Sequence, residues 1–120
     1  FAYSDISVQK VDSASDDLDS VAAIVHVTVI NDGDRAGKEI IEVYVGKKDS
    51  TIDRPVKELR GFQKIALVPD ESQEVEIPLT RRAFTYYDSD KKTLCVEPGK
   101  YQIYVGKSLE NIQGVYSINI

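Results

Sequence analysis

Strict alternation of apolar and polar side chains, over runs rich in β-branched residues, sets the narrowest limit on how this chain can fold. In "VAAIVHVTVIN" the residues Val25, Val27 and Val29 fall on one face, and Ile24, His26, Thr28 and Ile30 on the other. This is the period of a strand with one buried face. "KEIIEVYVG" repeats it, with Ile41, Val43 and Val45 opposite Glu42 and Tyr44. The intervening "NDGDRAG" is expected to join these two as neighbouring strands, with Gly33 and Gly37 supplying positive φ where the turn needs it. "FQKIALV" and "QEVEIPL" follow, separated by the turn "PDES", and the second sets Val75, Ile77 and Leu79 against Glu74 and Glu76. "KYQIYVGKS" turns Tyr101, Ile103 and Val105 inward, and "GVYSINI" does so with Tyr116, Ile118 and Ile120. No long segment has a period of 3.6, and only "TRRAF" suits a single helical turn, crossing from one sheet to the other. The expected class is therefore all-β, an antiparallel two-sheet β-sandwich. "DSASDDLDS", Asp12 to Ser20, is acidic and serine-rich and reads as a solvated hairpin connection with no role of its own.

A length of 120 residues fits one domain, 1–120, that buries roughly two-thirds of its unfolded surface. Such a core stands without disulfides, and the lone Cys95 has no partner for one. The only histidine, His26, is far from it in sequence, so no metal-ligand spacing exists. A net charge of −5 argues against affinity for nucleic acid. No stretch approaches the ~20 apolar residues of a membrane span, and no signal pattern opens the chain. The expectation is a soluble protein with no membrane partner, whose compartment stays open. The strand-like start "FAYSDISV" suggests a piece trimmed from something larger.

A search for chemistry yields little. His26 alternates within a strand and reads as structural; Cys95 reads as a small buried hydrophobe. Glu58, Asp88 and Asp90 could pair as glycosidase carboxylates, but carboxylates are common in this chain and a pair proves almost nothing. "DSDKK" lacks the ligands and glycine of a calcium loop and reads as a tight turn. Phosphate-loop and dinucleotide patterns are absent. Tyr44, Tyr86, Tyr87 and Tyr104 could stack on sugar, yet a tyrosine in a sandwich more often packs its ring and sends its hydroxyl to a backbone partner. No catalytic, metal or cofactor-binding residue is assigned.

Four motifs are more specific. "NDGDRAGKEIIEVYV", with Asn31, Gly33, Gly37 and Glu39, resembles a segment of the fibronectin type III-like domain that closes many family 3 glycoside hydrolases, the β-glucosidase and β-xylosidase group. "RPVKELRGFQKIALVPDES" is similar to that domain's most recognisable stretch, through Arg54, Pro55, Lys57, Glu58, Leu59, Gly61, Phe62 and Pro69. "VEPGKYQIYVGKS", with Pro98, Gly99 and Gly106, resembles its closing hairpin, and "FAYSDISV" its first strand. Together these span nearly the whole chain in the right order. Two departures stand out: Asp70 replaces a turn glycine, and Leu94 and Cys95 stand where many members have tryptophan. The resemblance implies an immunoglobulin/fibronectin type III-like sandwich from the C-terminal end of a larger glycosidase. It implies a non-catalytic accessory role, because in that family the nucleophile and acid–base carboxylates lie in preceding domains. The implied partners are those catalytic domains, with carbohydrate as a second candidate; an independent carbohydrate- or protein-binding module is the alternative.

The run Arg54 to Lys64 is then expected to be a structural corner. Pro55 fixes the approach to the strand. Glu58 lies within reach of Arg54, Lys57 or Arg60, with a partly buried Arg54–Glu58 pair as the specific expectation. Leu59 and Phe62 are expected to anchor in the core, Gly61 to permit a bulge, and the charged face to meet a neighbouring domain.

Overall fold

The fold was obtained as a computed structural model that describes residues 1–11, 17–47 and 57–120. Among the described residues nine strands run β1 (Ala2–Lys10), β2 (Val21–Ile30), β3 (Gly37–Lys47), β4 (Glu58–Leu67), β5 (Ser72–Thr80), β6 (Thr85–Asp88), β7 (Thr93–Val96), β8 (Lys100–Ser108) and β9 (Asn111–Asn119). A 3-10 turn, Arg81–Phe84, separates β5 from β6. One sheet has the order β1-β2-β5, a second has β4-β3-β8-β9, and β6-β7 form a separate ribbon. Every pairing is antiparallel.

The core lies where the alternation puts it. Val25, Val27 and Val29 of β2 and Val75, Ile77 and Leu79 of β5 meet Ile41, Val43, Ile103 and Val105 from the facing sheet. All are buried, and each contributes about 1.5–3 kcal/mol relative to exposure. Tyr101 and Phe84 close the same core with an edge-to-face contact, centroids 5.1 Å apart. Residues Tyr116, Ile118 and Ile120 on and just after β9 are half-buried, as their phase requires.

Two expectations about the turns fail. β2 and β3 are not neighbours: β2 pairs with β1 and β5, whereas β3 pairs with β4 and β8 in the other sheet. The phase of a strand fixes which face is buried but not which strand lies beside it, so alternation could not separate the two arrangements. Nor do Gly33 and Gly37 adopt positive φ; among described glycines only Gly99 does, at 137°. Asp70, standing in for a glycine, does take φ 65°, a conformation aspartate tolerates through its short polar side chain.

Asn31 organises the end of the sandwich where the chain twice changes sheet. Its Nδ2 donates to the Arg35 carbonyl at 2.8 Å and the Leu67 carbonyl at 3.0 Å. Its Oδ1 accepts from the Gly33 amide at 3.0 Å, and its backbone exchanges bonds with Glu71 and Asp70. One buried side chain thus ties the β2–β3 crossing to the β4–β5 crossing. At the opposite end Ser20 and Leu18 carbonyls accept from the Arg81 and Arg82 amides, and the Arg82 guanidinium meets Asp19 at 3.0 Å. The described part of the acidic loop therefore holds the 3-10 turn, a role the composition does not reveal. Asp12 to Asp16 lie outside the described residues.

Candidate functional site

The strand β4 carries most of the motif that marks this chain, and its geometry begins with a bulge. Across β3 the register passes from Val43–Gly61 to Tyr44–Leu59, leaving Arg60 as the extra residue. Gly61 faces the core there: a Cβ at that position would lie 3.1 Å from Leu79 and 3.2 Å from Ile77. The bulge turns Arg60 toward the end of the sandwich, where its Nη2 donates to Glu58 Oε2 at 2.9 Å and to the Thr85 carbonyl at 3.2 Å. Glu58 is therefore paired with Arg60. Arg54 and Pro55 lie outside the described residues, and with them the expected Arg54–Glu58 pair. A small cleft beneath this pair is lined by Val45, Lys47, Ala83 and Tyr101.

Leu59 and Phe62 do not anchor in the core. They are 52% and 65% exposed, because positions opposite Tyr44 and Glu42 share the outward phase of β3. The sheet's outer face is thereby apolar along one row. Leu59, Tyr44, Tyr104 and Val115 stand side by side across β4, β3, β8 and β9. Phe62 and Glu42 begin the next row, which continues to Gly106 and Ile112. Glu42 accepts the Tyr44 hydroxyl, and this bond, with burial second, raises the Tyr44 phenol above its usual range. Tyr104 donates to Gln102 Oε1 at 2.5 Å, and the Lys57 ammonium sits 4.7 Å above its ring. The described part of the corner thus carries an apolar row with the Lys57 ammonium beside it and the Arg60–Glu58 pair at its end.

The remaining motif residues serve the framework. Gly37, at the start of β3, lies against the Phe1 ring. Glu39 stands close enough to Tyr3 to help, after burial, in raising its phenol well above the usual value. Pro69 precedes Asp70 in the turn before β5. Pro98 leads into Gly99, whose backbone exchanges hydrogen bonds with Ile120 at 3.1 and 2.9 Å. Gly106 is irreplaceable on spacing alone, since a Cβ would lie 2.5 Å from the Asn111 carbonyl oxygen. Tyr101, which is not among the four weighed for stacking, is a backbone-bound tyrosine of the expected kind. Its hydroxyl donates to Glu97 O at 2.6 Å and Phe84 O at 3.0 Å, the corner motif of immunoglobulin-like sandwiches. The "EPGKY" spacing was the available signal.

His26 is a half-exposed strand residue, 3.3 Å from Gln9 Oε1 and 3.6 Å from Glu76 Oε1. Cys95 is half-buried in β7 rather than enclosed, because the β6-β7 ribbon joins neither main sheet. Asp88 Oδ1 accepts from the Asp90 and Lys91 amides, which makes "DSDKK" the expected tight turn. Among the described residues no cluster of three histidine, cysteine or acidic side chains could hold a metal ion. No helix there is long and apolar enough to cross a membrane.

Two sheets packed face to face, with a tyrosine corner and crossings between sheets, define an immunoglobulin-like sandwich, and comparison with known proteins narrows it. Residues 39–109 match the fibronectin type III-like domain, and the chain belongs to that family. Thermostable beta-glucosidase B of Acetivibrio thermocellus is 43% identical over 93% of this chain, but over only 14% of its own length. Probable beta-glucosidase K of Emericella nidulans is 39% identical over 98% of this chain and 13% of its own. Among solved structures, the GH3 beta-glucosidase of Bifidobacterium adolescentis superposes with TM-score 0.87 at 32% identity, covering 99% of this chain and 17% of that one. The beta-glucosidase D2-BGL of Chaetomella raphigera gives 0.89 at 28%, covering 98% and 18%. The chain therefore spans a small fraction of the relatives it matches.

Proposed function

We propose that residues 1–120 are a single non-catalytic accessory domain of a β-glucosidase-like family 3 glycoside hydrolase. The domain stabilises that enzyme's catalytic domains, and the parent hydrolyses terminal β-linked sugars with two carboxylates. The observation that carries this reading is the pairing of near-complete coverage of this chain with 13–14% coverage of the relatives. The motif residues then act as framework: Asn31, Gly61, Gly99 and Gly106 shape the sandwich, and Leu59 and Phe62 face outward from it. The parent's chemistry rests on likeness to those enzymes and not on any residue of this chain.

Sequencing the coding region upstream of Phe1 tests the proposal. Several hundred in-frame residues with glycosidase domains are expected, and a start codon just before Phe1 would refute it. A chromogenic β-glucoside should be turned over by the full chain and not by these 120 residues alone. Carbohydrate is the second candidate partner: the Tyr44 ring is buried and Lys57 covers Tyr104, whereas Tyr86 is half-buried and Tyr87 is 62% exposed. Unchanged tyrosine fluorescence at millimolar oligosaccharide is expected, and quenching would point to stacking on Tyr87.

A further inference from the structure

The two sheets show unlike faces to the outside. On the three-stranded sheet His26, Thr28, Glu74 and Glu76 line a shallow polar hollow with Asp5, and no large hydrophobic side chain there is exposed among the described residues. Of the seven described large hydrophobics that are exposed, four are Ile40, Leu59, Phe62 and Val115, all on the outward phase of the four-stranded sheet. A contiguous apolar patch of this kind marks a surface that another protein face covers. On this face Lys38, Lys57 and Lys64 outnumber the Glu42 carboxylate, which keeps its charge while accepting the Tyr44 hydroxyl. This occurs on a chain of net charge −5.

We infer that the outer face of the four-stranded sheet, the row Leu59–Tyr44–Tyr104–Val115 together with Phe62, is where the rest of the parent chain docks, through an apolar surface rimmed by carboxylates. This rests on the reading of the chain as one domain of a longer glycosidase, and it names the surface used. The basic rim selects an acidic partner by electrostatic complementarity. A second copy of this chain fits poorly, because a two-fold contact would set the lysines against one another. A sugar fits poorly as well, because neither Tyr44 nor Tyr104 offers a free ring face.

Hydroxyl-radical footprinting of the full-length parent tests the assignment, with Phe84, 1% exposed, as the internal standard of a covered ring. Phe62 should be modified at close to the Phe84 rate, and reversing Lys38, Lys57 and Lys64 to Glu should raise its rate at least five-fold. Phe62 modified ten-fold faster than Phe84 in the unaltered parent would overturn the inference while leaving the accessory role intact. Protection lost on dilution would mean a second copy, and protection that needs an added β-linked disaccharide would mean sugar; each overturns it. An unchanged rate in the triple reversal overturns the acidic rim. A coding region with no further domains overturns both this inference and the reading beneath it.

Discussion

Asn31 illustrates how much of a sandwich can hang on one polar side chain. It is 3% exposed and satisfies one amide and one carbonyl of its own turn, those of Gly33 and Arg35, together with the remote Leu67 carbonyl. Asn31→Ala should cost about 2–4 kcal/mol, since it strands buried carbonyls as well as losing bonds; urea unfolding measures this directly. Tyr101→Phe keeps the ring against Phe84 but removes the hydroxyl proton that the Glu97 and Phe84 carbonyls share, and should cost about 1–3 kcal/mol in the same assay. Tyr3 gives a pH signature. Burial first, then the negative charge and hydrogen bonding of Glu39, raise its folded-state pKa above the unfolded value near 10. The folded state therefore holds this proton more tightly than the unfolded state does. The stabilising contribution is complete below pH ~10 and is lost as pH rises through the folded pKa. The fall in melting temperature above pH 10 should be shallower in Tyr3→Phe than in the unaltered chain.

At the scale of elements, β4 and the β8-β9 hairpin are where backbone geometry decides. The Arg60 bulge aims one guanidinium at both Glu58 and the Thr85 carbonyl, tying β4 to the start of the β6-β7 ribbon. The pair is only partly exposed, 26% and 31%. Glu58→Gln should therefore lower stability by about 1 kcal/mol, toward the upper end for exposed pairs, or roughly 3–5 °C in melting temperature for a domain of this size. An unchanged melt would mean that Arg60 is held by Thr85 alone. Gly106→Ala forces a methyl group onto the Asn111 carbonyl and should cost at least about 1–3 kcal/mol, as overpacking does, with the loss seen first in amide exchange of β9.

At the scale of the whole molecule, two phenylalanines divide core from surface. Phe84→Ala opens a cavity beside Tyr101 and should cost about 3–5 kcal/mol. Phe62→Ser, on an exposed outer face, should change the stability of the 120-residue chain by no more than about 0.5 kcal/mol. In the parent the same change should be several-fold more destabilising if that face is covered. Scanning calorimetry of both lengths compares the two.

The inward set Val25, Val27, Val29, Ile41, Val43, Val75, Ile77, Leu79, Ile103 and Val105 was legible residue by residue, because a strand's period of two is written in side-chain chemistry and needs no partner. The Asp88 turn and the Gly61 bulge were legible for the same local reason. Partnership was not: β2 and β3 follow one another yet lie in opposite sheets, and nothing in either strand's alternation records which edge it will find. The outward turn of Leu59 was hidden too, since a bulge one residue long reverses its phase relative to the rest of β4, whereas Phe62 points outward in plain alternation with the buried Ile65 and Leu67. Motif likeness carried the family, which the match over residues 39–109 bears out. What remained for the packed molecule to settle was every contact between distant segments: Asn31 across two crossings, Tyr101 under Phe84, Arg60 on Thr85, and the apolar row along one face. These depend on how two sheets lie against each other, and local periodicity carries no information about that distance.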